Sequence, residues 1–137
     1  MPEERFQERA PLRGIHILLV LDDAESGELL RTVLEDAGAL VSVAAPARAA
    51  VPALEALRPD VLVADVGDEA DHSSSALIAR VRALPGCAQI PSISVTADGG
   101  RDARQRLLTS GYQEHVPRPV NVWKLCRLVA SLAARRG

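Results

Sequence analysis

Aromatic residues are scarce in this chain, which has one Phe, one Tyr and one Trp among its 137 residues. The hydrophobic core must therefore be aliphatic, built from Ala, Val, Leu and Ile. Hydrophobic residues still make up 47% of the sequence and charged residues 25%, which are ordinary values for a globular protein. A chain of this length and composition is expected to fold as one domain with a buried core.

Cysteine is also rare, and no apolar run is long. Cys87 and Cys126 lie far apart, without a CxxC pair or a histidine at metal-ligand spacing. A disulfide framework or a zinc site is therefore not expected, and reduced thiols indicate a cytoplasmic protein. No run approaches the length of a membrane span, and residues 1–14 lack the apolar segment of a signal peptide. The formal net charge of −2 does not indicate a nucleic-acid-binding surface.

Five short apolar runs alternate with segments in which apolar residues have helical spacing. The runs predict strands at residues 15–21, 40–44, 61–65, 91–96 and 112–116. The other segments predict helices at residues 25–37, 47–57, 76–84, 101–110 and 121–135. Gly38 and Gly111 are placed to end two of these helices, and Asn121 is placed to cap the last.

Two stretches are expected to lack regular structure. Residues 1–13 are polar and charged, and they predict a flexible N-terminal lead-in to a domain of residues 14–137. The serines at positions 73–75 end a polar stretch and predict a flexible loop and helix cap.

The alternation of strand and helix with short connections predicts an α/β protein whose parallel sheet is covered on both faces. A doubly wound five-stranded sheet of this kind most often has the flavodoxin-like (βα)5 order 2-1-3-4-5. Its ligand site then lies at the carboxyl ends of strands 1 and 3, where the winding reverses.

Polar side chains stand at that edge of the predicted sheet. Strand 1 ends in Asp22 and Asp23, strand 3 in Asp65 and strand 4 in Thr96, while Arg118 follows strand 5. In isolation Asp22 and Asp23 are better explained as helix caps. They become candidates for a functional site only because the predicted strand order brings them to the same edge as Asp65. Three crowded carboxylates repel one another and favour a cation, and oxygen ligands with room for water suit Mg²⁺ better than zinc. A hydroxyl and a cation beside Asp65 suit a phosphoryl group attached to it.

These features resemble the receiver domain of two-component response regulators from residue 15 onward. The motifs that carry the resemblance are the acid pair in LLVLDDAES, Asp65 in PDVLVADVG, Thr96 in SISVTA and the Arg118–Pro119 step in HVPRPV. Each motif alone is weak, but their order and their places at the strand ends make the set specific.

The resemblance implies a role for each residue at the edge. Asp65 would accept a phosphoryl group from a histidine kinase or a phosphotransfer protein. Asp22 and Asp23 would hold Mg²⁺ together with Asp65, and the carbonyl of Gly67 would supply another ligand. Thr96 would donate its hydroxyl to a phosphoryl oxygen.

The resemblance also implies how a signal would leave the site. His115, three residues before Arg118, stands where receivers place an aromatic switch residue that packs inward on activation. A downstream protein would bind the face formed by helix 4, strand 5 and helix 5. Nucleic acid and membrane are not expected partners, and a homodimer is left open. The chain would be a signalling module rather than an enzyme, either a stand-alone regulator or the receiver portion of a hybrid kinase.

Two features depart from the family pattern. Receivers have lysine where Arg118 stands, and after the acceptor they have Met-Pro and a later Asp-Gly pair where this chain has Asp68, Glu69 and a serine run. The longer planar head of Arg118 is expected to lie over the mouth of the pocket, paired with Asp65 or Asp68, or to turn to solvent. Both features support an alternative, a pseudo-receiver that binds a partner without phosphorylation.

Two other classes of protein fit the sequence less well. A phosphatase of the haloacid dehalogenase type needs Asp-x-Asp after strand 1, whereas Ala24 stands two positions after Asp22. A flavodoxin-type FMN carrier needs a Ser/Thr-Gly-rich phosphate loop after strand 1, which is missing, and aromatic residues around the flavin.

Overall fold

The alternating strands and helices form a parallel sheet with helices on both faces. The computed structural model describes residues 10–66, 73–97 and 100–136. Its strands are β1 His16–Leu21, β2 Leu40–Ala44, β3 Val61–Asp65, β4 Ser92–Thr96 and β5 Glu114–Pro117. Its helices are α1 Glu28–Asp36, α2 Ala50–Leu57, α3 Ser73–Ala83, α4 Arg101–Ser110 and α5 Val122–Arg136. The strand order β2-β1-β3-β4-β5 confirms the predicted doubly wound topology.

The sheet is buried on both faces because its central strands are continuous apolar runs. In β1, Ile17, Leu19 and Leu21 belong to the core cluster that contains residues of α1 and α5. Leu18 and Val20 belong to the other cluster, with residues of α2, α3 and α4. This division follows from the two-residue period of a strand, which sends successive side chains to opposite faces. Each fully buried leucine contributes about 1.5–3 kcal/mol relative to exposure.

The helix-end signals read from the sequence are confirmed. Gly38 follows α1 with a φ of +107°, and Gly111 follows α4 with a φ of +131°, both in the region that favours glycine. The Asn121 side-chain oxygen accepts a hydrogen bond from the backbone N–H of Lys124 at 3.0 Å and so caps α5. The first turns of the first two predicted helices form short 3-10 segments, Glu25–Gly27 and Ala47–Ala49.

The expectation of a flexible loop at the serine run is wrong. Residues 73–75 form the first turn of α3, and Ser74 is fully buried. The reason is a hydrogen bond that sequence periodicity does not encode, from the Ser74 hydroxyl to the backbone oxygen of Val66 at 3.1 Å. The fifth strand also begins two residues later than predicted, because the N–H of Tyr112 donates to the backbone oxygen of Leu107 at the end of α4, at 3.2 Å.

Part of the predicted lead-in contacts the core. Leu12 is fully buried in the cluster shared by α1 and α5, and its N–H donates to the backbone oxygen of Ala37 at 3.0 Å.

Arg82, in the last turn of α3, ties together the amino-terminal edge of the sheet. Its Nη1 donates to the backbone oxygens of Cys87 at 3.2 Å and Ile90 at 2.7 Å. Its Nη2 donates to the backbone oxygen of Gly111 at 2.7 Å and to Oε1 of Gln113 at 3.0 Å. Burial lowers the pKa of the Arg82 guanidinium below its ordinary value. The side chain therefore joins α3 to the connections that enter β4 and β5.

Candidate functional site

The carboxyl-terminal edge of the sheet collects the polar residues singled out in the sequence. Leu21 of β1 is paired in register with Asp65 of β3, so Asp22 and Asp23 continue the chain directly beside Asp65. Thr96 ends β4, the neighbour of β3 on the other side. The register of two strands that are 44 residues apart in sequence therefore brings the acids to one edge.

Arg118 covers the carboxylate of Asp65. Its Nη2 donates to Asp65 Oδ1 in an ion pair, and the side chains are 44% and 11% exposed, respectively. The backbone N–H of Arg118 donates to the backbone oxygen of Thr96 at 2.7 Å, which fixes the main chain at the end of β4. The expectation that Arg118 pairs with Asp65 is thus confirmed. Asp68, the other partner considered, lies outside the described residues.

Thr96 and His115 contact each other below the surface of the site. Thr96 is fully buried and His115 is 5% exposed. Thr96 Oγ1 lies 2.6 Å from His115 Nε2, within hydrogen-bond distance. The sequence predicts that His115 moves towards Thr96 on activation, whereas in this structure the histidine already lies against it.

Ser94 is a residue at this site that the sequence analysis missed. It is paired in register with His115 across β4 and β5, and its side chain is fully buried. Its hydroxyl has no hydrogen-bond partner among the described residues. A buried hydroxyl without a partner is unfavourable and needs an explanation. The signal available in the sequence was a second hydroxyl residue, two positions before Thr96 and so on the same face of β4.

Asp22 and Asp23 are exposed at the start of the connection to α1. The carboxylate of Asp23 accepts a hydrogen bond from the N–H of Ser26 at 2.9 Å, and the Ser26 hydroxyl donates to the Asp23 backbone oxygen at 2.9 Å. Asp23 therefore holds the turn before α1. The backbone of Gly27 packs closely against the side chain of Leu21. A Cβ at this position would lie 2.3 Å from a Leu21 methyl carbon. Only glycine allows this close approach.

The oxygen donors at this edge suit a hard cation such as Mg²⁺. Asp22, Asp23 and Asp65 offer carboxylates from two adjacent strands, and no sulfur or imidazole ligand is needed. Within residues 10–66, 73–97 and 100–136, however, no three His, Cys, Asp or Glu side chains are grouped closely enough to hold a metal ion. Gly67, the expected carbonyl ligand, lies outside these residues. The Mg²⁺ site therefore stays a prediction.

The chain that leaves Asp65 is held by a short series of hydrogen bonds. The backbone oxygen of Val66, the next residue, accepts from the Ser74 hydroxyl at 3.1 Å, and the Ser74 backbone oxygen accepts from the Tyr112 hydroxyl at 2.8 Å. Ser74 and Tyr112 are both buried. These contacts join the acceptor strand to the start of α3 and to the residues before β5.

Other residues considered in the sequence lie away from the acids. His16 begins β1 at the opposite edge, where its Nε2 lies 2.8 Å from the Ser42 hydroxyl. Trp123, in the first turn of α5, is 64% exposed.

Comparisons with known proteins agree with this arrangement. A model of the response regulator receiver domain family matches residues 17–130. A relative from Leptolyngbya boryana, described as an uncharacterized 14.6 kDa protein in the sodA1 3′ region, is 41% identical over 86% of this chain and 89% of its own length. A solved structure of a response regulator from Chloroflexus aurantiacus is 29% identical, with a TM-score of 0.79 over 88% of this chain and 98% of that one.

A further relative is much longer than this chain. The sensor histidine kinase GacS of Pseudomonas protegens is 28% identical over 93% of this chain, which spans 14% of that kinase.

In the described part of the chain, every helix is too short or too polar to span a membrane.

Proposed function

We propose that the chain, which belongs to the response regulator receiver domain family, accepts a phosphoryl group on Asp65 in a two-component phosphorelay. The observation that carries the proposal is the register of β1 and β3, which places Asp22 and Asp23 directly beside Asp65. Arg118 and Thr96 stand at the same edge. A nucleophilic carboxylate, an acid pair for a cation and donors for phosphoryl oxygens are the parts that phosphoryl transfer needs.

Asp65 acts as the nucleophile in this proposal. Its Oδ1 accepts a hydrogen bond from Arg118, so Oδ2 is the oxygen that would attack phosphorus. The bond that breaks joins phosphorus to an imidazole nitrogen of a phosphohistidine on a kinase or phosphotransfer protein. That nitrogen keeps the electron pair, and Asp65 becomes an aspartyl phosphate.

Arg118 would pair with the Asp65 carboxylate before the transfer and with the phosphoryl group after it. Its main chain is held by Thr96, so the side chain can move while the backbone stays in place. Before transfer it neutralises the Asp65 carboxylate, and after transfer its forked donors suit two phosphoryl oxygens.

Mg²⁺ is the proposed cofactor. Asp22, Asp23 and Asp65 would hold it together with the Gly67 carbonyl, as oxygen donors suited to this ion. When bound, the ion supplies positive charge that offsets the charge of the phosphoryl group. Asp23 has a second carboxylate oxygen for this role, since its Oδ1 accepts the N–H of Ser26.

The contact between Thr96 and His115 would carry the signal. The Thr96 hydroxyl shares a hydrogen bond with His115 in this structure, and it would turn towards a phosphoryl oxygen after transfer. His115 Nε2 would then lose its contact with Thr96, and the buried hydroxyl of Ser94 lies opposite His115 in the sheet. A rearrangement of His115 would change the surface formed by α4, β5 and α5, where a downstream protein would bind.

The cellular role follows from the same proposal. The chain would act as a signalling module in the cytoplasm, as a stand-alone regulator or as the receiver portion of a hybrid kinase. The match to part of a sensor kinase supports the second form.

Intact-mass spectrometry after incubation with Mg²⁺ and a small-molecule phosphodonor tests the proposal. The wild-type chain should gain the mass of one phosphoryl group, and Asp65→Asn should abolish the gain. Asp102→Asn, at an exposed acid on α4, is the matched control and should be labelled like the wild type. A label that survives Asp65→Asn would assign the acceptor role to another residue.

A pseudo-receiver is the second candidate, and the ion pair between Arg118 and Asp65 favours it. An Asp65 carboxylate that stayed paired with Arg118 would be a weak nucleophile. In that case the wild-type chain would show no added mass under the same conditions, and Asp65→Asn would leave partner binding unchanged.

A further inference from the structure

Ser74 is a buried hydroxyl residue whose side-chain hydrogen bond leaves its own helix. It lies in the first turn of α3 and is fully buried. A serine that caps a helix accepts a hydrogen bond from the first N–H groups of that helix. The Ser74 hydroxyl instead donates to the backbone oxygen of Val66 at 3.1 Å. The contact therefore holds the main chain beside Asp65, which directly precedes Val66.

Val66 stands between two residues of the proposed site. It follows Asp65, the proposed acceptor, and precedes Gly67, the proposed carbonyl ligand for Mg²⁺. Its side chain is fully buried in the core cluster that also contains Leu77 and Tyr112. Since both its side chain and its carbonyl oxygen are held, Val66 cannot shift without breaking these contacts. The position of Val66 therefore limits where the Asp65 carboxylate can lie.

Tyr112 supports Ser74 in turn. Its hydroxyl donates to the Ser74 backbone oxygen at 2.8 Å, and the residue is buried. Its N–H donates to the backbone oxygen of Leu107 in α4 at 3.2 Å. A buried hydroxyl that lost its partner would be unfavourable, so both hydroxyls favour the observed arrangement. The hydrogen bonds thus run in series from the end of α4 through Tyr112 and Ser74 to Val66.

This series is a feature of the chain itself rather than of the family pattern. Receivers have an Asp-Gly pair in the stretch where this chain has its serine run, and neither Asp nor Gly carries a hydroxyl. A contact from a hydroxyl in α3 to the chain after the acceptor is therefore not implied by membership in the family.

We propose that Ser74 is a positioning residue for Asp65, acting through the carbonyl of Val66, and that the Tyr112 hydroxyl keeps Ser74 in place. This role rests on the proposed function, in which Asp65 accepts a phosphoryl group. The attacking oxygen must lie about 3–3.5 Å from phosphorus, so a main-chain shift of about 1 Å would slow the transfer. Arg118 contacts the Asp65 carboxylate itself, whereas Ser74 acts on the main chain.

Removal of single hydroxyls tests the proposal. Ser74→Ala and Tyr112→Phe each delete one oxygen and nearly keep the shape of a buried side chain, so both variants should fold, which urea denaturation checks. At saturating Mg²⁺, with each protein fully folded, Ser74→Ala should be phosphorylated by a small-molecule donor about tenfold more slowly than the wild type. Tyr112→Phe should be about threefold slower, because it acts through Ser74.

Ser110→Ala is the matched control. The Ser110 hydroxyl also joins α4 to the first turn of α3, but it donates to Ser75 and to the backbone oxygen of Arg106 rather than to Val66. This variant should be labelled at the rate of the wild type. An equal loss of rate in Ser110→Ala would mean that any weakened contact between the two helices slows the reaction, and it would overturn the role of Ser74.

The double variant shows whether the two residues act in series. If Tyr112 acts through Ser74, then Ser74→Ala with Tyr112→Phe should be slowed no more than Ser74→Ala alone. Losses that multiply, to about thirtyfold, would overturn the serial arrangement.

A second measurement separates this role from the proposed function. The carbon NMR resonance of the Asp65 carboxylate, assigned with Asp65→Asn, should shift in Ser74→Ala and Tyr112→Phe but not in Ser110→Ala. A merely structural role would lower the free energy of unfolding and leave this resonance in place. Mg²⁺ titrated against unphosphorylated Ser74→Ala should reach half-saturation at an about threefold higher concentration than with the wild type.

The outcomes distinguish the two proposals. An unchanged resonance and an unchanged labelling rate in Ser74→Ala would overturn the positioning role and leave Asp65 as the acceptor. A wild type that gains no phosphoryl group would refute the proposed function, and the Asp65 resonance of the variants would then decide the role of Ser74 alone.

Discussion

Two arginines lie at opposite edges of the same sheet, and their surroundings differ. Arg118 is nearly half exposed and pairs with one carboxylate, that of Asp65. Arg82 is half-buried and donates to the backbone oxygens of Cys87, Ile90 and Gly111 and to the side-chain oxygen of Gln113. The partners of Arg82 are uncharged oxygens that cannot change their charge, whereas the partner of Arg118 would change its charge on phosphorylation. Arg82 therefore stabilises the fold, whereas Arg118 makes a contact that phosphorylation of Asp65 would rearrange.

The energetic difference follows from exposure. An ion pair whose cation is open to water, as that of Arg118 is, contributes about 0–1 kcal/mol, because water screens it. A guanidinium that satisfies several buried carbonyls contributes more, because its removal leaves those acceptors without partners. Stability should therefore depend on Arg82, and reactivity should depend on Arg118.

The largest expected effect is on stability at the amino-terminal edge. Arg82→Met should lower the free energy of unfolding by about 2–4 kcal/mol, because the backbone oxygens of Ile90 and Gly111 lose their donor. Urea denaturation measures this value. Arg104→Met, at an exposed position of α4, is the control and should change it by less than about 0.5 kcal/mol. Equal losses in the two variants would contradict the role assigned to Arg82.

A smaller effect is expected at the carboxyl-terminal edge, on rate rather than on stability. Arg118→Lys should raise the rate of phosphorylation by a small-molecule donor several-fold at fixed Mg²⁺, because a compact ammonium leaves more room at Asp65. The free energy of unfolding should change by less than about 1 kcal/mol. No gain in rate, or a loss, would mean that the arginine fits its site well.

The smallest effect on stability is expected at Ser94. Because its buried hydroxyl has no partner in the described structure, Ser94→Ala should not lower the free energy of unfolding and should raise it by no more than about 0.5 kcal/mol. The same variant should alter the His115 signals in the complex with beryllofluoride, a phosphoryl mimic, if Ser94 receives His115 there. Identical His115 NMR shifts in wild type and variant, both with beryllofluoride, would exclude this exchange.

Local patterns in the sequence determined most of the fold. The short apolar run at residues 61–65 and the polar helical segment at residues 101–110, ended by Gly111, predicted β3 and α4 with the bounds that the structure has. Gly38, Gly111 and Asn121 marked helix ends because each satisfies a local backbone requirement, a positive φ or an unpaired N–H. Such signals are readable because their physical cause lies within a few residues.

Contacts between distant segments were decided by the tertiary structure alone. The serine run was assigned to a loop because its composition is polar, yet Ser74 is buried by partners 8 and 38 residues away, Val66 and Tyr112. In the same way, neither the acceptors of Arg82 nor the contact between Thr96 and His115 follows from local spacing. These contacts require the strand order and register first.

The candidate site shows the same division. The sequence by itself determined which residues end the strands, and so it identified Asp22, Asp23, Asp65, Thr96 and Arg118 before the fold was known. Only the tertiary structure decided that Arg118 pairs with Asp65, among the alternatives its length allowed. It also decided that Ser74 and Tyr112, 38 residues apart in sequence, contact each other beside the main chain that leaves Asp65, because packing on a shared sheet made them neighbours.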